Sequence, residues 1–431
     1  MEGSITQLGL GNYLINKKEK TESLFKQSTY ENYANYVKHT KKLNFKTNAK
    51  FGSTLAMELD KEANYGDLIS NLTLVLNLPS TSGLTTSTGR DFGYCNGVGN
   101  ASIKKCDLKI GGNNAQQQDG TWMDIWGQLG ISSGKQSNYK NMIKKSINHD
   151  DTYFQGGKSF TPLMFWFCQN TDHKHYSHIL PLVSLRENTI ELLIELRAYN
   201  DILYSTDGSS PTSSQLLIDA YLIVDYIILD EPDRASYLKQ EHQLYLMHQV
   251  QTQTYDIEAG ITNKNISLRN FKYPIVELFI VVRRDDNTTS RKYFNFSDST
   301  TLSGADTPID KLRLTFDGRD RIEELDAEIF TQVIPGNTHD NVENNFIHCI
   351  TFALEPENIG QPTGSCNFSE IHEPMLHITF NSGIVASTLM IYALNYNVLQ
   401  IGKDGHSWLL HNLSKTAPTS LNDVKRKNLE C

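Results

Sequence analysis

Long apolar runs are missing from this chain of 431 residues, and nothing in it approaches the ~20 consecutive apolar residues of a membrane-spanning helix. The opening MEGSITQLGLGNYLINKKEK has no apolar core of signal-peptide length, so a soluble protein made in the cytosol is expected. Positive charge is not in excess. A formal net charge of −9 gives no reason to expect direct nucleic-acid binding. Six cysteines, at 95, 106, 168, 349, 366 and 431, form no CxxC pair, which excludes zinc ribbons and thioredoxin-type sites. Cys95 and Cys106 flank a Gly/Asn loop and could bridge, but a reducing cytosol favours free thiols.

Catalytic motifs are also absent. No GxSxG elbow, HExxH, Walker A or GxGxxG occurs, so no enzyme and no cofactor are expected. His173, His175 and His178 make the most metal-like cluster, but no carboxylate or cysteine stands at ligand spacing, so a solvated loop without metal is expected. The acidic stretch FDGRDRIEELD interleaves Arg319 and Arg321 with its carboxylates, which favours local ion pairing over a calcium site. Of seven N-x-S/T sequons, those at Asn287 and Asn295 are retained as candidate glycosylation sites.

What the chain does have is strand pattern. Aromatic residues make up 10% of it, and its length suits two domains of roughly 200 residues. Leu72, Leu74, Leu76 and Leu78 fall on one face of a strand over 68–78, and 103–110 is a second short strand. Trp122, Ile125, Trp126 and Leu129 stand at helical spacing, and two tryptophans on one stripe are read as core packing. Phe160 to Cys168 has strand character, and in 190–197 Ile190, Leu192, Ile194 and Leu196 alternate with more polar neighbours. A long strand over 216–229 is expected to turn Tyr221, Ile223, Ile227 and Leu229 to one side. Asp230 then caps a helix over about 231–246 that joins two domains. Further strands are expected at 275–282, 347–354, 375–380 and 389–399. Many strands with long polar loops indicate an all-β protein built of sandwiches, with short helices in the connections. The segments 84–100, 130–158 and 283–310 are expected to be mostly exposed loops.

Several segments resemble the double jelly-roll major capsid proteins of the nucleocytoplasmic large DNA viruses. They are SITQLGLG, LFKQSTYENYANY, Gly66-Asp67-Leu68-Ile69, IGG with WMDIW, LMFWFCQN with LPLVSL, and Val224 to Asp230. In the second half they are GRDRIEE, FALEPENIGQPTGSCNFSEI and YALNYNVLQI. The resemblance implies two tandem eight-stranded jelly rolls. It divides the chain into an arm (1–24), a first jelly roll (25–230), a connecting helix (231–246), a second jelly roll (247–401) and a tail (402–431). It further implies a structural virion protein, assembled in the host cytoplasm, whose trimers have a pseudo-sixfold outline and tile an icosahedral capsid. Implied partners are other copies of itself, minor capsid proteins and an internal membrane. Nine lysines lie between Lys17 and Lys50, and Lys38, Lys41 and Lys42 are candidates for contact with that inner surface. The rival readings are a non-virion double jelly-roll scaffold, a minor capsid paralogue and, more distantly, a glycan-binding sandwich.

Overall fold

The computed structural model describes residues 36–46, 49–59, 66–82, 84, 92–146, 154–168, 179–204, 215–302, 305–342 and 346–409. The histidine loop and the far N- and C-terminal segments lie outside the described residues. Among the described residues, sixteen strands have four residues or more, eight in each half. The first half runs β1 (Tyr36–Asn44), β2 (Thr54–Glu58), β3 (Leu68–Leu78), β4 (Ile103–Ile110), β5 (Asn113–Gln118), β6 (Gly157–Pro162), β7 (Ile190–Leu196) and β8 (Asp219–Leu229). The second runs β9 (His242–Ile257), β10 (Asn263–Ser267), β11 (Pro274–Arg284), β12 (Ile309–Phe316), β13 (Arg319–Asp326), β14 (His348–Thr351), β15 (Pro374–Phe380) and β16 (Ser387–Gly402). Three helices matter below: α1 (Gly120–Leu129), α2 (Ser133–Ile143) and α3 (Glu231–Lys239).

Pairing makes each half a jelly roll. In the first, the sheets have the order β1-β8-β3-β6 and β2-β7-β4-β5, all antiparallel. In the second, the sheets β9-β16-β11-β14 and β10-β15-β12-β13 repeat that order strand for strand. Two facing sheets wound in this way are a jelly-roll sandwich. The chain is thus a tandem double jelly roll, duplicated in topology and not visibly in sequence.

Strands with strict alternation came out where the pattern put them. The buried positions of β7 and β15 alternate along their whole length, as Ile190, Leu192, Ile194 and Leu196 require. Elsewhere the structure departs from expectation. In β8 the core side is Ala220, Leu222, Val224 and Tyr226 rather than Tyr221 and Ile223. The four expected residues do share one side, where Ile227 and Leu229 are buried in a small separate cluster with Leu68, beside a bulge at Ser70 that shifts the phase of β3. The strand expected over 160–168 stops at Pro162, whose ring cannot donate a ladder hydrogen bond. Leu163, Phe165 and Phe167 are still buried, now in irregular backbone.

The connecting helix is shorter than expected. α3 begins at the Asp230 cap, with Asp230 Oδ1 accepting the Asp233 N–H at 3.2 Å, but ends at Lys239, and 242–257 is the strand β9. Long side chains at 243–247 face partners across β16 rather than a helix surface. The expected tail also carries structure: Ser407–Leu409 adds a three-residue strand to β16. Of the segments expected as exposed loops, 98–101 is a buried helical turn, α2 occupies much of 130–158, and Asn287, Tyr293 and Phe296 are buried. Apolar anchors spaced through these polar stretches pull them onto the body.

Two local devices set strand entry. Gly66 has φ +151° and lies against Tyr226, where an added Cβ would stand 2.6 Å from the tyrosine Cβ. Next to it, Asp67 accepts from Arg234 Nε at 2.8 Å and Nη2 at 2.9 Å, and from the Leu229 N–H at 2.8 Å. This bidentate clamp pins α3 against the start of β3.

His348 lies on the β14 face turned into the second core. Its Nδ1 is 3.2 Å from the Ile280 carbonyl and its Nε2 3.0 Å from Thr307 Oγ1, a neutral ring satisfied on both nitrogens. Burial pushes its pKa down to about 4. Because the folded value is depressed, the unfolded chain binds this proton more readily. The contribution is therefore full above the unfolded value near ~6.5 and is lost as pH falls towards about 4. Urea unfolding between these limits should show a His348→Asn variant with a shallower acid loss than the parent, the difference approaching about 3 kcal/mol.

Candidate functional site: the joint between the two sandwiches

A run such as Ile275-Val276-Glu277-Leu278-Phe279-Ile280-Val281-Val282 does not alternate, and the structure shows why. This strand and its neighbour β16 are buried on both faces. Leu278, Ile280 and Val282 enter the core of the second sandwich, with Ile391 and Ala393 of β16. Phe279 and Val281, with Tyr392 and Leu394 of β16, point the other way and are continuous with the core of the first sandwich. Strands covered on both sides read as near-continuous apolar runs.

The first sandwich meets this wall with α1. Trp122 and Trp126 are fully buried core residues, as their spacing suggested. Trp122 lies edge-on to Phe279 at 5.3 Å between ring centroids and 5.8 Å from Tyr392, and Trp126 lies 6.4 Å from Phe279. Such rings combine a large buried area with a preferred mutual geometry. Asp119, the α1 cap, accepts the Trp122 N–H at 2.7 Å and the Tyr392 hydroxyl at 3.0 Å. Burial pushes the Asp119 carboxyl up, while these two hydrogen bonds pull it down. One side chain therefore starts the helix and ties it to the other sandwich.

Polar straps ring this apolar contact. Asn341 Nδ2 donates to the Gln128 carbonyl at 2.7 Å, and the Tyr293 hydroxyl to the Asp201 carbonyl at 2.8 Å. Asn188 Nδ2 donates to the Gly405 carbonyl at 2.8 Å. The Arg197 guanidinium sits 4.5 Å from the Tyr293 ring centre. Behind α1, Lys145 Nζ contacts Asp124 at 2.8 and 3.0 Å in a nearly dry ion pair.

The joint also contains a group that sequence reasoning missed. Glu277, wholly buried on the face of β11 turned towards the first sandwich, faces the His339 ring, which faces Glu357 on its other side. A lone glutamate inside an apolar strand was the available signal, because a buried charge requires a partner.

The expected surface residues are less coherent. β1 is the edge of its sheet; Lys38 and Lys42 fall on one face and Lys41 on the other, with His39 and Leu43. Lys42 pairs loosely with Asp219 at 3.6 Å and lies over the Tyr221 ring at 3.9 Å. Asn287 is fully buried, with Nδ2 directed at the Asn295 and Ser299 carbonyls. Asn295 is also buried and accepts the Ser297 N–H at 3.0 Å. A glycan on either asparagine needs this turn to open. Cys95, Cys106, Cys168, Cys349 and Cys366 are free thiols. The acidic hairpin closes on an Asp317-Gly318 turn with positive φ at both residues, and its ion pair runs across strands, from Arg313 to Asp320 at 2.6 Å.

Two jelly rolls fused through doubly buried strands define a double jelly-roll coat protein. The comparisons agree. A model described as "Major capsid protein N-terminus" matches residues 23–230, and one described as "Large eukaryotic DNA virus major capsid protein" matches 234–405. The chain belongs to the major capsid protein family of the large eukaryotic DNA viruses. It is similar to the major capsid protein of Phaeocystis pouchetii virus (24% identity over 88% of this chain and 93% of the relative). It is likewise similar to that of Pyramimonas orientalis virus (26% identity, 88% and 91%). The crystal structure of PBCV-1 VP54 superposes with a TM-score of 0.73 at 21% identity, over 90% of this chain and all of that one. These relatives are structural shell proteins, and this chain is a structural protein rather than an enzyme.

Denaturant titration checks the joint. Trp122→Ala should cost about 3–5 kcal/mol by leaving a cavity under Phe279 and Tyr392. Lys145→Met should cost a similar ~3–5 kcal/mol by stranding the Asp124 carboxylate. Lys42→Ala, which breaks an exposed pair and an exposed cation–ring contact, should stay within about 1 kcal/mol.

Proposed function

We propose that this chain is the capsomer subunit of an icosahedral capsid, acting as a homotrimer of pseudo-sixfold outline. The observation that carries the proposal is the doubly buried pair of strands. It makes two jelly rolls one stiff block, and three two-lobed blocks arranged about an axis give six lobes. Family membership supplies the shell context, and the relatives named above are themselves major capsid proteins.

Exposed apolar side chains favour self-association. Leu216, Ile218 and Leu354 are between 61% and 79% exposed, with Tyr36 and Val37 open at the start of edge strand β1. Obligate contacts between copies bury such groups, typically thousands of Å² per assembly. On this reading the chain assembles in the host cytoplasm and resides in the virion. Its domain limits follow the division given from sequence, except that the connecting helix ends at Lys239 and the second jelly roll begins at His242, and capsomers meet one another, minor capsid proteins and an internal membrane. Lys38 and Lys42, on one face of β1, are the better placed of the three lysines for an anionic inner surface.

Native mass spectrometry or light scattering of the purified protein at micromolar concentration tests the trimer. A species of three 48.8 kDa chains is expected. A protein that stays monomeric as concentration rises contradicts the capsomer reading.

A further inference from the structure

The Glu277–His339–Glu357 group has a fourth member, the Cys349 thiol. On β11 and β14, Phe279 stands opposite Cys349, so this cysteine lies on the same face of the sheet as Glu277. His339 closes the helical turn 334–338, and Glu357 lies in the loop after β14. The donor atoms of Glu277, His339 and Cys349 all lie within 4.8 Å of one another. The Glu277 and His339 side chains are fully buried, and Glu357 is 11% exposed. Trp126 of the first sandwich closes over the group, its ring edge-on to His339 at 6.5 Å.

The geometry around the imidazole is specific. Nδ1 is 2.7 Å from Glu357 Oε1, and Nε2 is 3.2 and 3.1 Å from the two Glu277 oxygens. A neutral imidazole donates through one nitrogen only. With Nδ1–H on Glu357, the space between Nε2 and the two Glu277 oxygens takes positive charge, either a second ring proton or a cation in its place. Ligand arms of about 2.0–2.2 Å place neighbouring tetrahedral donors about 3.3–3.6 Å apart, so a small outward shift of the Nε2-to-Glu277 separations admits an ion. A histidine that ligates through Nε2 while Nδ1–H bonds a carboxylate is the usual outer-shell arrangement at metals. The thiol is what a plain ion pair has no use for. Sulfur together with imidazole and carboxylate selects a borderline-soft divalent ion.

We propose that Glu277, His339 and Cys349 form a structural zinc site in the joint, with Glu357 holding the histidine ring. Glu277 supplies both oxygens as one narrow bidentate arm, His339 its Nε2 and Cys349 its thiolate, which closes a distorted four-donor shell. Binding sends the thiol proton to solvent, along with any proton carried on Nε2. Zn²⁺ then balances the Glu277 carboxylate and the thiolate, and Glu357 keeps its charge against Nδ1–H and the Asp340 N–H. The ion would cross-link β11, β14 and the 334–339 turn beneath Trp126.

The test uses the full-length protein purified without chelator. Elemental analysis should find about one zinc per chain. Exchange with Co²⁺ should give the visible bands of a tetrahedral site and a sulfur-to-cobalt charge-transfer band near the ultraviolet. Cys349→Ser should abolish the charge-transfer band, and His339→Gln should lower zinc content at least about tenfold. Because variants in a core can misfold, the parent protein provides an independent reading. Chelation should lower its melting temperature, and added zinc should restore it. Folded parent protein with under roughly a tenth of a zinc per chain and no cobalt bands would overturn the proposal, leaving an imidazolium held between two carboxylates. Zinc retained with an unchanged cobalt spectrum in Cys349→Ser would overturn it equally, by placing the metal elsewhere.

Discussion

The structure depends on two neighbouring strands, β11 and β16, having no solvent face along most of their length. β9-β16-β11-β14 is a wall of the second sandwich and, through Phe279, Val281, Tyr392 and Leu394, the surface on which the first is built. Burial of apolar surface is the dominant favourable term in folding, and here one set of strands contributes it twice. A two-domain chain would ordinarily have a modest, polar interface and relative motion. This one has tryptophans packed edge-on and tilted against the neighbour's sheet, so the two jelly rolls behave as one body. Stiffness of this kind is what a shell subunit needs, because lattice contacts can hold curvature only if each block keeps its shape.

Buried charges follow the same constraint. Asp119, Asp124, Glu277 and Asp67 are all largely removed from water, and each is matched: by Tyr392 and a helix N-terminus, by Lys145, by His339 and by Arg234. Breaking such pairs is expensive even where forming them gains little net energy. Their positions fix register and docking angle more than they add stability. Two of them bridge the halves directly or through an aromatic lid, so mispositioning one half strands a charge as well as opening a cavity.

Much of the fold was legible in the sequence. One-sided strands such as Ile190–Leu196 alternate because only one face is buried, and the capped helix beginning at Glu231 announces itself through Asp230 and Pro232. The motif Gly66-Asp67 was visible only as a resemblance. Its physical content, a glycine against Tyr226 and a carboxylate clamping Arg234, needed coordinates. Local pattern failed where distant partners decide. In β8 the main core took the face of Ala220 and Leu222 rather than that of Tyr221 and Ile223, Pro162 ended a strand in the middle of an apolar run, and residues beyond Lys239 became strand because β16 was there to pair them. The joint itself was hidden. His339, Cys349 and Glu277 are too far apart in the chain for any spacing rule, whereas His173, His175 and His178 are conspicuous only through being adjacent and fall outside the described residues.

The central claim is that both jelly rolls form one cooperative body through the shared sheet, and native-state hydrogen exchange read by mass spectrometry tests it most directly. Amides of 274–284 and 387–402 should exchange last and in step with those of 68–78, since opening either sandwich exposes the same wall. Exchange of 68–78 through an opening that leaves 274–284 and 387–402 fully protected would show two independent sandwiches and contradict the account.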